Sequence, residues 1–261
     1  MDRGRISEVL ARADETAALP RLGGMARADG VVIASEHFWA FAARDGSLRE
    51  GAMPEPPHLL RRVPLLRGLV RLGSALAPLF RGAGVAGRPE RVLLVAALLA
   101  PLSLIFLPES ASLPLGVGTG VVLLAWMLRG RTLFLHGAEH RAITAAEERR
   151  LVPTWNAEAK PSRFAPRCGT NFAALVVPVS LAFDRLWPLP AALYTPFAVT
   201  LLSLALTMEL WQIVQTSRSR LARAFILPGL ALQRLTTREP SDEETRLALT
   251  AVAAVLRREL V

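Results

Sequence analysis

VLLVAALLAPLSLIFL, residues 92–107, and LPLGVGTGVVLLAWML, residues 113–128, contain no charged residue. Each is slightly short of the ~20 residues a helix needs to cross a bilayer, so tilt or flanking residues must contribute. Pro108 opens the segment between them and Pro114 lies just beyond it, which suits a tight turn outside the cytoplasm. Two further apolar stretches, 172–183 and 189–215, flank Asp184-Arg185-Leu186-Trp187-Pro188. This pattern predicts a mainly α polytopic membrane protein with about four transmembrane helices in two hairpins. The competing reading is that these are buried helices of a soluble protein. Composition favours the membrane: 52% of the 261 residues are hydrophobic, and the mean hydropathy is +0.34.

The charge is segregated by these stretches. Segment 1–91 holds fourteen Lys/Arg, 129–171 eight and 217–261 eight, whereas the two short turns hold Arg185 alone. The positive-inside rule then puts both termini and the 129–171 loop in the cytoplasm of a multi-pass bacterial inner-membrane protein. The net charge of +9 is read as cytoplasmic loops facing anionic headgroups rather than as a nucleic-acid surface. The single cysteine, Cys168, excludes an intrachain disulfide, and the first 30 residues lack the apolar core of a signal peptide.

The division expected is a cytoplasmic segment 1–90, a four-helix membrane region 91–216 and a cytoplasmic segment 217–261. Residues 31–44, VVIASEHFWAFAAR, are rich in β-branched and aromatic types and precede an Asp45-Gly46 turn, which predicts a small N-terminal β element. Residues 59–80 interleave Arg with Leu and Val, as in an amphipathic interfacial helix with Arg toward headgroups, although Pro64 and Gly68 weaken a single straight helix. Ser241-Asp242-Glu243-Glu244 is a capping box that opens a helix over 241–260, ending in Arg257-Arg258.

The chemistry centres on His136-Gly137-Ala138-Glu139-His140. On a helix the two histidines share a face, so both imidazoles can address one ion, with Glu139 beside them as general base or ligand. The same spacing also serves iron, copper or haem, and His pairs on helix surfaces are common without any ion. Two further ligands suggest themselves. Glu209 is an ionisable residue in an apolar helix, to be weighed against a role as partner for an Arg or in helix packing. Cys168 lies beside Arg167 just before an apolar helix, a setting that favours a thiolate, to be weighed against an inert thiol in a helix cap. His37 and His58 read as a packed surface histidine and a loop residue. Gly23-Gly24 lacks the rest of any phosphate loop.

Three blocks resemble a known family: Leu135-His136-Gly137-Ala138-Glu139-His140-Arg141, Pro166-Arg167-Cys168-Gly169-Thr170-Asn171-Phe172, and the run from Pro228 through Gln233, Thr236, Thr237 and Arg238 to Pro240. They are similar, block by block, to the YqhQ-like family of bacterial membrane proteins, a family of unknown function often labelled a predicted metal-dependent enzyme. The likeness runs from about Gly23 to the C-terminal helix. The family's N-terminal block usually reads like G-G-Q-A-V-x-E-G-V-M-M-R; here Met25 stands for Gln, Asp29 for Glu, and the Met-Met-Arg is lost.

These readings together predict an inner-membrane metal-dependent protein, a zinc hydrolase acting on a lipid or membrane-associated peptide at the cytoplasmic face. Zinc, or another divalent transition metal, is assigned to His136, His140, Cys168 and Glu209. Glu139, Arg167 and Asn171 are assigned to catalysis, and Asp29, Arg141, Gln233, Thr236, Thr237 and Arg238 to the substrate. Membrane lipids with anionic headgroups and a second copy of the chain are the partners expected. The alternatives are a non-enzymatic membrane scaffold or regulator with a structural metal or polar cluster, and an ion-coupled transporter using Glu209.

Overall fold

The computed structural model describes residues 2–80, 129–188, 194–217 and 224–260, with short pieces at 84–88 and 90–92, Ser219, and scattered positions between 95 and 125. The stretches 92–107 and 113–128, expected as the first two spans, lie mostly outside the described residues. The chain divides into two units, each discontinuous in sequence. The first comprises Met1–Glu55, Leu128–Cys168 and Leu230–Val261, and the second Pro56–Met127 and Gly169–Gly229.

The first unit is built on an antiparallel meander, β1 (Gly23–Arg27), β2 (Gly30–Ala34), β3 (Phe38–Ala43) and β4 (Leu48–Ala52), in that spatial order. The register pairs Gly24 with Ile33, Val31 with Ala42 and Phe41 with Arg49. The β3–β4 turn uses the chemistry visible in Asp45-Gly46: Gly46 takes φ +85°, and the Asp45 carboxylate accepts the Ser47 N–H at 2.8 Å.

Five helices join this sheet: α1 (Arg3–Glu15), α4 (Thr132–Glu147), α5 (Leu151–Trp155), the latter part of α8 (Leu227–Thr236), and α9 (Asp242–Glu259). The Ser241 capping box closes as expected. The Ser241 hydroxyl accepts the Glu244 N–H at 3.2 Å, and the Glu244 carboxylate accepts the Ser241 N–H at 2.9 Å. Beyond it α9 presents Ala248, Ala251, Ala253 and Ala254 among Leu249, Val252, Val255 and Leu256, all fully buried. Small side chains let this helix lie close on β2 and β3, while α4 packs against both α9 and the edge strand β1. The core is the seam of Leu10, Val31, Ile33, Leu135, Leu249 and Val252. Burying each such side chain is worth about 1.5–3 kcal/mol.

The second unit contains α2 (His58–Arg62), α3 (Leu66–Phe80), α6 (Gly169–Leu186) and α7 (Thr195–Thr216). Gly68 of α3 faces α7 closely: a Cβ there would meet the Ala205 carbonyl and Met208 Cβ at 2.9 Å each. The α3 arginines are turned to this contact. Arg67 forks onto Glu209, Nε to Oε1 at 2.7 Å and Nη2 to Oε2 at 2.5 Å, and Arg71 donates to Gln212. They were expected to reach for headgroups; a carboxylate and an amide on a packed neighbour are the better-placed acceptors.

The expectation of a mainly α, four-span polytopic protein is therefore corrected. Among the described residues there are nine helices and a four-stranded sheet, and one helix is long and apolar enough to cross a membrane: Thr195–Gln215, with mean hydropathy 1.7. The third expected span, in α6, falls short. It opens with Thr170 and Asn171, closes on Asp184 and Arg185 and holds Pro178, so its apolar run is only 172–183, well below the ~20 residues required. The apolar character of the chain is in part that of a buried α+β core.

Candidate metal centre

Helix α4 buries Leu135, Ala138, Ala142 and Ala145 completely in the core. That choice of face turns His136 and His140 together, one helical turn apart. Their rings meet edge-on, with centroids 4.4 Å apart. His136 Nδ1 lies 2.8 Å from the Thr236 carbonyl oxygen, and His140 Nδ1 lies 2.7 Å from that of Arg163. A carbonyl only accepts, so each Nδ1 carries the proton and each Nε2 presents a lone pair. His136 Nε2 is 3.3 Å from Cys168 Sγ, whereas His140 Nε2 is buried with no hydrogen-bond partner.

Ligand atoms of His136, His140 and Cys168 all lie within 4.8 Å of one another. Burial holds His136 below the usual imidazole range, and burial with the neighbouring His136 pushes His140 down to about 3. Both rings are thus neutral at pH 7. Two neutral imidazoles with anchored Nδ1 atoms, a cysteine sulfur and an orphaned buried nitrogen form a donor set that fits a transition metal. This cluster can hold a metal ion.

The chain around the cluster pins the 161–168 loop that carries Cys168. Gln233, fully buried, reads Ala165 from both sides: its amide N–H donates to the Ala165 carbonyl at 2.8 Å, and its oxygen accepts the Ala165 N–H at 2.9 Å. Arg141 donates Nε–H to the Pro161 carbonyl at 3.1 Å and Nη2–H to Glu239 at 2.5 Å, and Glu239 also takes Arg163 at 3.3 Å. Arg163 supplies the carbonyl that orients His140. The end of α8 is laced to α4: Arg238 N–H donates to the Leu133 carbonyl at 2.9 Å, and the Thr237 hydroxyl donates to the Gln233 carbonyl at 2.7 Å. Gly137 permits this approach, because a Cβ there would collide with the Arg238 carbonyl oxygen and sit 3.2 Å from Pro240 Cδ.

The remaining predicted residues lie elsewhere. Glu139, 5% exposed, turns to β1 and accepts the Ala26 N–H; burial pushes its carboxyl up to about 8. Gly24 makes room for it, since a Cβ there would lie 2.7 Å from Glu139 Cγ. Arg167 pairs with Glu147 at 2.5 Å. Asp29 stands in the exposed β1–β2 turn, bound by Arg27 at 2.9 Å. The Arg238 side chain is exposed, and the buried Thr236 hydroxyl finds no partner. In the second unit, Asn171 is buried against Gly229, and the Glu209 carboxylate is held by Arg67 and the Leu65 N–H. Sequence reasoning missed Arg163 and Glu239, for which no local signal exists. Gly137 within the histidine motif and Gly24 within the Gly-Gly pair were given no steric role, although a glycine within a helix or strand pattern is a cue for close backbone approach.

Residues 121–258, just over half of the chain, match the model of a family described as a protein of unknown function, DUF1385. A stretch of 133 residues, 49% of the chain, is 32% identical to the uncharacterized protein YqhQ of Bacillus subtilis (strain 168), and it spans 42% of that relative's length. No solved structure matches the chain. All three residues of the cluster fall within the matched region, and the chain belongs to this YqhQ-like family of unknown function.

Proposed function

We propose that this protein is a metal-dependent enzyme of the hydrolase class, with zinc or another divalent transition metal held by His136, His140 and Cys168. The observation that carries the reading is the pair of imidazoles anchored through Nδ1, which bring their ligand atoms and the Cys168 sulfur within 4.8 Å of one another. Three protein ligands leave a position open, the arrangement of catalytic rather than structural zinc sites. A zinc ion held there supplies Lewis acidity toward a carbonyl, phosphoryl or water oxygen. Gln233, Arg141 and Glu239 act as positioning residues, fixing the loop that carries Cys168 and the carbonyl that orients His140. Glu139 keeps its proton at neutral pH. It is read as the clamp between α4 and β1, in place of the general base its position in the motif suggests.

The substrate is read as a lipid or a membrane-associated peptide, because α7 is apolar enough to hold the chain in a membrane. The basic flanks favour the cytoplasmic face and anionic headgroups. The experiment is the metal content of the purified chain beside a His136→Ala/His140→Ala variant, followed by a screen of lipid and peptide ester hydrolysis. About one metal per chain, lost in the variant and required for turnover, supports the reading; a metal-free wild type after metal is added back contradicts it. A second reading, a structural centre in a membrane scaffold, draws on the number of side chains spent on immobilising the 161–168 loop. Cobalt substitution separates the two: an open position shows as a change in the visible spectrum on adding azide.

A further inference from the structure

Where α4 ends, the first unit has a cleft of about 310 Å³ whose walls include Arg21, Arg149, Arg167 and Glu147, over Leu22 and Ile143. The two apolar residues are each 7% exposed, so they form a buried floor. Arg149 has φ +58°, a conformation that β-carbon-bearing residues rarely adopt, and it is held there by the Ala13 and Ala17 carbonyls, each 3.1 Å from its guanidinium. Carbonyls carry no charge, and Arg149 forms no ion pair among the described residues. Arg21 forms no ion pair among the described residues. Arg167 faces Glu147, both side chains about two-fifths exposed at 39% and 41%. Of the three arginines lining the cleft only Arg167 has a carboxylate partner among the described residues, and that pair is exposed enough to exchange partners.

We propose that this cleft binds a phosphate monoester bearing an apolar group, with the phosphate among the three arginines and the apolar part on Leu22 and Ile143. The charge matches: three arginines less one glutamate leave +2, against about −1.5 to −2 for a phosphate monoester at pH 7. Guanidinium forks suit phosphate oxygens bidentately. The volume is at the low end of small-ligand sites, enough for a headgroup and a short chain. Bound phosphate displaces Glu147 from Arg167. The same chemistry is offered by a free phosphate ester or by a phospholipid headgroup. None of Arg21, Arg149, Arg167 and Glu147 is a ligand of the metal centre, and Arg21 and Glu147 lie outside the 161–168 loop that carries Cys168, so their variants test this site apart from that centre.

The test is calorimetric titration of the full chain in detergent with inorganic phosphate, hexyl phosphate and dioctanoyl phosphatidic acid. Hexyl phosphate should saturate at one per chain and bind about tenfold more tightly than inorganic phosphate, from burial of its chain. Arg21→Ala and Arg167→Ala should each weaken it about tenfold, the loss of one charge-assisted contact. Glu147→Gln should tighten it about two- to fivefold by freeing Arg167. Phosphatidic acid binding more tightly than hexyl phosphate assigns the site to a lipid headgroup, and equal or weaker binding assigns it to a free ester. Saturable binding absent from both phosphate esters, on protein with an unchanged unfolding midpoint, overturns the proposal. So does binding that none of the three variants moves.

Discussion

Gly137→Ala sets two physical effects against each other. In an unobstructed helix interior this change is stabilising by about 1 kcal/mol, because alanine has less chain entropy to lose. At Gly137 the new Cβ meets the Arg238 carbonyl oxygen and lies 3.2 Å from Pro240 Cδ. Backbone atoms cannot rotate away, so the end of α8 must move off α4. Overpacking of this kind costs about 1–3 kcal/mol. The movement also loosens the Arg238 N–H to Leu133 hydrogen bond and the His136 Nδ1 contact with the Thr236 carbonyl, each worth about 1 kcal/mol. The sum is a net loss of about 2–4 kcal/mol after the propensity gain. It also frees the His136 ring, which should weaken metal binding by about ten- to a hundredfold, the usual effect of removing an outer-shell contact. Thermal unfolding of the detergent-solubilised chain, with zinc competition against a chromogenic chelator, reads both. A variant as stable as wild type or more so would show that α8 is not seated on α4 through Gly137.

Further expectations concern the shell and its protons. Gln233→Leu strands the buried Ala165 N–H and carbonyl and should cost about 2–4 kcal/mol, measured by denaturant midpoint; Gln233→Glu should recover part of it through the one remaining hydrogen bond. Arg141→Ala removes the contacts to Pro161 and Glu239 and should release the 161–168 loop, seen as faster amide exchange there and about tenfold weaker metal binding. For the metal-free chain the pH dependence has two opposed limbs. His140, held down to about 3, contributes stability that is full above its unfolded value of 6.5 and lost as pH falls toward 3. Glu139, pushed up to about 8, contributes stability that is full below its unfolded value of 4.5 and lost as pH rises through 8. Each limb has a slope approaching about 1.4 kcal/mol per pH unit. The unfolding midpoint should therefore be flattest between the two unfolded values, and Glu139→Gln should remove the alkaline decline; a variant that declines as wild type does above pH 7 counts against a buried neutral Glu139.

How much was legible depends on the range of the interaction that decides each feature. The α9 cap closes within four residues, so Ser241 and Glu244 announce it fully. Asp45-Gly46 likewise states its own turn. The His136–His140 pair is legible because helical geometry alone puts the two on one face. Cys168, 32 positions beyond His136, reaches it through the loop that Gln233 and Arg141 hold, and no local pattern encodes that closure. Apolar runs were the misleading signal. Within α6 the polar residues at both ends, visible in the sequence, limit the span. Glu209 shows the same ambiguity from the polar side: an ionisable residue in an apolar helix needs a partner, and Arg67 is that partner. Gly24 was weighed as the opening of a phosphate loop, yet its lack of a side chain serves Glu139, a contact between a strand and a helix more than a hundred residues apart.

The most direct test of the central claim is X-ray absorption at the zinc edge on the purified full chain, beside Cys168→Ser. The expected first shell has two imidazole nitrogens at about 2.0–2.1 Å, one sulfur at about 2.3 Å and one further light atom, with the sulfur lost in the variant. A shell of light atoms alone in the wild type, or a sulfur contribution that survives Cys168→Ser, would contradict it.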